Sequence, residues 1–156
     1  MPLKYLHFRL FVLFFCIVPG FTSCSSYITS SFVEPAVGNL RQQTDLELVC
    51  EGAPAYLLMI DSMIASSPDN RQLLRTGTQS YTGYAAALSE CGTSDERIAV
   101  ISDKSYLYGT RLLKQFLPIE KRYDEEFDRM LAKLDKDDLP FVFWGTFGWI
   151  SWIQSQ

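Results

Sequence analysis

Residues 44–88 read TDLELVCEGAPAYLLMIDSMIASSPDNRQLLRTGTQSYTGYAAAL, and their apolar positions recur three and four apart, the period of a helix and not the alternation of a strand. Thr44-Asp45-Leu46-Glu47 has the spacing of a capping box, in which Thr44 caps and Glu47 reaches back to the first turn. Val49, Ala53, Tyr56, Leu57, Ile60, Met63 and Ile64 then form a stripe wide enough for a helix packed on more than one neighbour. Pro54, just after Gly52, predicts a kink, because proline removes an amide and crowds the preceding turn. Ser67-Pro68-Asp69-Asn70 predicts a tight turn, with Ser67 as cap and Pro68 at the first position of the next helix. Leu74, Gly77, Tyr81, Tyr84, Ala85 and Leu88 give that helix its inward face, and Gly77, Gly83 and Ala85 would let a further helix come close. Two helices joined by so short a turn form an antiparallel hairpin.

The same period continues outward. Gly92 stops the second helix, and Thr93-Ser94-Asp95-Glu96 is another capping box, ahead of a helix carrying Ile98, Ile101, Tyr108, Leu112, Leu113 and Phe116. Leu117-Pro118 ends it. A shorter helix follows with Tyr123, Phe127, Met130, Leu131 and Leu134, and a last one runs from about Leu139 to the end. Upstream, Ile28, Phe32, Ala36 and Leu40 predict a helix over 28–40 that Pro35 shortens. No strand pair with a turn signal occurs, so the expected class is all-α, built of antiparallel helical hairpins. Tyr56, Ile60, Leu74, Tyr81 and Leu112 are its expected core.

The first residues read as an export signal: Lys4, His7 and Arg9, an apolar run from Leu10 to Val18, then small or turn-forming residues. The run is too short to span a bilayer as a helix. Phe21-Thr22-Ser23-Cys24 is similar to a bacterial lipobox, with Phe21 where an aliphatic residue is usual. The expected organisation is a signal peptide over 1–23, a lipid-bearing Cys24 opening a Ser- and Thr-rich tether over 24–31, and a helical domain over 32–156. Two acyl chains at Cys24 suffice for stable membrane attachment. Ser25, with no Asp beside Cys24, is similar to lipoproteins sorted to the outer membrane, facing the periplasm.

Residues 24–156 hold 12 Lys and Arg against 18 Asp and Glu, a formal net charge of −6. That acidity argues against a nucleic-acid partner, which needs a basic face. The single histidine is His7, inside the expected signal, which removes Ser-His-Asp and Cys-His catalysis and His-ligated metal from the remainder. Cys50 and Cys91 either pair, as an oxidising compartment allows, or stay buried thiols.

Four clusters invite functional readings. Asp135, Asp137 and Asp138 suggest a calcium loop, but the Gly and Glu it requires are missing and Pro140 intervenes, so Asp137 or Asp138 is read as a helix cap and no metal site is expected. Ser80 lies between Gly77 and Gly83, yet the spacing is not that of a nucleophile elbow, and no catalytic residue or cofactor is expected. Tyr106, Tyr108 and Arg111 would face a partner groove or pack. The last helix carries Phe141, Phe143, Trp144, Phe147, Trp149, Ile150, Trp152 and Ile153 with almost no polar face, so Trp144, Trp149 and Trp152 are candidate contacts to a partner, another subunit or an apolar ligand.

The helical hairpins, with Pro68, Tyr81 and Ala85, resemble degenerate tetratricopeptide repeats, although no fixed period runs through the chain. More specifically, Leu46-Glu47-Leu48-Val49, Gly52-Ala53-Pro54-Ala55-Tyr56-Leu57-Leu58, Ser67-Pro68-Asp69-Asn70 and Leu134-Asp135-Lys136-Asp137-Asp138-Leu139-Pro140 before an aromatic helix resemble the T-component lipoproteins of TRAP transporters. The resemblance implies a tetratricopeptide-like fold, a homotrimer around a pore, a periplasmic solute-binding protein as partner, a hydrophobic ligand and no enzyme activity. Family members continue past the aromatic helix, so the chain is expected to be incomplete at its C-terminus. The expected role is a binding or scaffold component of TRAP-type uptake. A structural envelope lipoprotein with no transport role is the alternative.

Overall fold

Side-chain caps fix where the helices begin. In the computed structural model, which describes residues 42–120 and 125–156 together with Pro35, Gly38 and Asn39, the first long helix is α1, Leu46–Ser66. Its cap is Asp45 and not Thr44: Asp45 Oδ1 accepts from the Leu48 amide at 3.1 Å. The Gln43 side chain covers the amides of Thr44 and Asp45. The next helix, α2, spans Arg71–Leu88, and its cap is Asn70, whose Oδ1 accepts from Gln72 and Leu73. Ser67 therefore closes α1 instead of opening α2, and Pro68 lies in the turn. Asparagine wins because its carbonyl oxygen reaches two amides of the first turn.

After Gly92, which takes a φ of 70°, α3 covers Asp95–Leu113 with Ser94 at the cap position but no side-chain cap bond. Asp95 and Glu96 in its first turn suit the positive end of the helix dipole. A short α4, Glu125–Leu131, and the aromatic α5, Leu139–Gln154, complete the described elements. The fold is all-α, and no strand occurs among the described residues. The expected signal segment, Cys24 and tether, most of the 28–40 helix, and Tyr123 lie outside them.

Helix α2 is the centre, packed against α1, α3 and α5, while α5 also lies along α3. Ile60, Leu74, Tyr81 and Leu112 are buried as expected; Tyr56 is only half-buried. Glycines let the helices approach closely. A Cβ on Gly109 would meet the Gly145 carbonyl oxygen at 2.8 Å, and one on Gly148 would meet Thr78 Cγ2 at 2.5 Å. Gly77 has the same role against Ile64 of α1, but Gly83, expected on a close contact, is exposed and meets nothing within 4 Å. A polar seam lies between α2 and α3, where Thr82 and Ser105 share a 2.5 Å hydrogen bond.

The cysteines are paired: Cys50 of α1 and Cys91 of the α2–α3 turn form a disulfide with a Cα separation of 6.0 Å. Helix α1 runs through Pro54 without interruption, and by length and composition it could cross a membrane. Here it lays Ala53, Leu57, Ile60 and Ile64 into the bundle, the one-sided burial of an amphipathic packing helix.

Candidate functional site

The residues of α5 that point away from the bundle form the most distinctive surface. The chain enters this helix through a turn in which Asp135 Oδ1 accepts from the amides of Asp137 and Asp138, and Asp138 Oδ2 accepts from the Asp135 amide. Asp138 occupies the cap position, but its carboxylate closes this turn and does not cap the helix. Pro140 follows in the first turn, where a missing amide costs nothing.

Only Gly145 and Gly148 of α5 are fully buried, against α3 and α2. Leu139, Phe143, Phe147, Ile150 and Ile153 are exposed, with Phe143 at 58 % and Ile153 at 59 %. Steps of four, four, three and three residues align them as one stripe down the helix. The rings are ordered among themselves: Phe143 and Phe147 stack at 5.8 Å, and Trp144 stands edge-on to both. Such a stripe on a folded surface ordinarily marks a contact with another molecule.

The residues singled out from sequence fall into three places. Tyr106, Trp149 and Trp152 come together at the α3–α5 seam, where Tyr106 stacks on Trp152 at 4.5 Å and meets Trp149 edge-on. The Trp152 indole N–H donates to Asp103 Oδ1 at 2.7 Å. Trp144 joins the phenylalanines of the outer stripe. Tyr108 lies elsewhere: it is buried, meets Tyr81 edge-on at 5.8 Å and donates its hydroxyl to Asp61 Oδ1 at 2.6 Å. Lys104 completes this group with a 3.0 Å ion pair to Asp61. Burial, then the bond to Asp61 and its negative charge, push the Tyr81 and Tyr108 phenols far above the ordinary tyrosine value. A proton held so firmly suits a structural clasp between α1 and α3. Arg111 is half-buried on the same helix.

The tryptophans are thus half-buried, and the outward positions belong to Leu139, Phe143, Phe147, Ile150 and Ile153. Composition named the helix; the orientation came from the glycine face, whose Gly145 and Gly148 spacing was the available signal. Among the described residues, no group of three or more His, Cys, Asp or Glu is placed to hold a metal ion.

Comparison with known proteins gives one match. The family model of the TRAP transporter T-component covers residues 42–156. No curated protein and no solved structure matches the chain. A match over the whole described helical bundle is a match to its fold-bearing part and includes both α1 and the aromatic α5. The chain therefore belongs to the TRAP transporter T-components, a family defined as part of a transporter and not as an enzyme.

Proposed function

We propose that this chain is a lipid-anchored scaffold of TRAP-type uptake, held in the envelope through Cys24, that engages the transporter's periplasmic solute-binding protein with the outer stripe of α5. The observation that carries the reading is the alignment of Leu139, Phe143, Phe147, Ile150 and Ile153 on a helix whose opposite side is locked by glycine contacts. A rigid aromatic stripe is the kind of surface from which interface anchors are drawn. Tyr106, Trp149 and Trp152 stiffen the adjoining seam, while Trp144 contributes to the stripe. A homotrimer, in which copies of the chain share the α5 surface, is compatible with this role if part of the stripe remains open to the solute-binding protein.

A photoreactive amino acid at position 143 tests the reading in cells. The solute-binding protein encoded beside the transporter should be recovered cross-linked to it, and the same group on the buried face at position 112 should recover none. Capture of copies of the chain alone would contradict it. The anchor is tested separately: Cys24→Ala should move the protein from membranes to the released fraction, and unchanged membrane retention would remove the lipid from the account. Should the transporter's solute uptake be unaffected by deletion of the chain, the purely structural role is the one left standing.

A further inference from the structure

The start of α2, the residues just after α3 and the segment of and after α4 leave a cleft of about 520 Å³, within the size range of small-molecule sites. Arg71, Arg129 and Lys133 bring three positive charges to it against the two carboxylates of Glu126 and Asp138. That excess of cations stands out in a chain whose residues 24–156 hold 12 Lys and Arg against 18 Asp and Glu. Among the described residues, none of the three makes an ion pair, whereas Lys104 and Lys114 both do. Asp138 does not serve them, because its Oδ2 accepts from the Asp135 amide.

The second observation is the way Arg71 is held. Its guanidinium lies 4.7 Å over the Phe116 ring, and its Nε donates to Gln115 Oε1 at 3.2 Å. Gln115 is itself anchored, its Nε2 donating to the Asp69 carbonyl at 3.1 Å. Ring and amide thus fix the plane and one edge of the guanidinium, and its two terminal nitrogens make no hydrogen bond among the described residues. A fork set in that way matches two oxygens of one carboxylate or phosphate group. Arg129 is steadied alongside, its Nε donating to the Glu125 carbonyl. Like charges gathered at one cleft repel, and an anion between them turns that cost into attraction. We propose that this cleft binds a small oxyanion, a phosphate or carboxylate group, gripped by the Arg71 fork with Arg129 and Lys133 supplying further charge. The site is separate from the α5 stripe and stands whether or not that surface binds a protein.

Nuclear magnetic resonance titration at constant ionic strength tests the site on a Cys24→Ala form of the whole chain, with inorganic phosphate and malonate as the two probes and the Gln115 side-chain amide as the signal. At least one of the two should shift that signal saturably, one ion per chain, and the tighter of them names the group the cleft prefers; chloride should shift nothing. Arg71→Lys keeps the charge and loses the fork, so it should weaken the bound ion at least about tenfold. Lys133→Ala should weaken it severalfold. Both positions are exposed, so the circular dichroism spectrum should not change in either. Arg97→Ala, which removes an exposed cation of α3 outside the cleft, should leave the affinity as it is. No saturable shift with either probe, full affinity in Arg71→Lys or Lys133→Ala, or an equal loss in Arg97→Ala would each overturn the proposal.

Discussion

The Tyr84 hydroxyl donates to the Cys50 carbonyl at 3.3 Å, and that carbonyl is the one Pro54 leaves without its helical amide. The same residue carries the disulfide to Cys91. Proline is thus tolerated inside α1 because a side chain of α2 takes the place of the missing donor. Tyr84→Phe should cost about 1 kcal/mol, read from the urea midpoint. The double change Cys50→Ser with Cys91→Ser opens a loop spanning 41 residues and should cost about 3–4 kcal/mol. A disulfide-free protein as stable as the native one would show that the start of α1 is held to α2 by other means.

Two glycines in helices should respond to alanine with opposite signs. At Gly83 the new methyl meets nothing, so the gain in helix propensity, about 0.5–1 kcal/mol, should appear as added stability. At Gly109 the methyl would sit 2.8 Å from the Gly145 carbonyl oxygen. Backbone cannot rotate away as a side chain can, and overpacking of about 1–3 kcal/mol should outweigh the propensity gain. Thermal unfolding of the two variants checks the pair, and a stabilised Gly109→Ala would mean that α3 and α5 do not pack so closely.

The clasp at Asp61 predicts a direction with pH. Tyr81 and Tyr108 hold their protons in the fold well beyond the ordinary tyrosine range, through burial first and Asp61 second. In the unfolded chain the same phenols ionise near about 10. Their contribution is therefore complete below about pH 10 and declines as pH rises above it, because only the unfolded state releases protons there. Urea midpoints taken from pH 8 to about 11.5 should fall, and Tyr108→Phe should fall less steeply. Parallel profiles for the two proteins would contradict the assignment.

The helical class was legible because amphipathic spacing survives in α1, α2 and α3, where Ile60, Leu74 and Leu112 sit inside as their periodicity requires. Cap positions were legible only to within a few residues. Thr44 and Asp45, or Ser67 and Asn70, all carry oxygens of similar reach, and which one bonds depends on backbone angles that spacing does not contain. The Asp61–Tyr108 bond joins positions 47 apart, and the Cys50–Cys91 pairing depends on how α1 lies on α2; both are properties of packing. In α5 the difficulty was different. A helix apolar on every side has no polar face to orient it, so the tryptophans stood out by size while the glycines, which decide what faces inward, did not.

The central claim is that the outer stripe of α5 is the surface for the solute-binding protein, and its most direct test is an affinity measurement. Purified chain, immobilised and titrated with the solute-binding protein of its own transporter, should bind saturably. Phe143→Glu with Phe147→Glu alters two exposed positions and should leave the circular dichroism spectrum unchanged while weakening binding by at least about tenfold, or about 1.4 kcal/mol. Equal binding by both proteins, or no binding by the native chain, would contradict it.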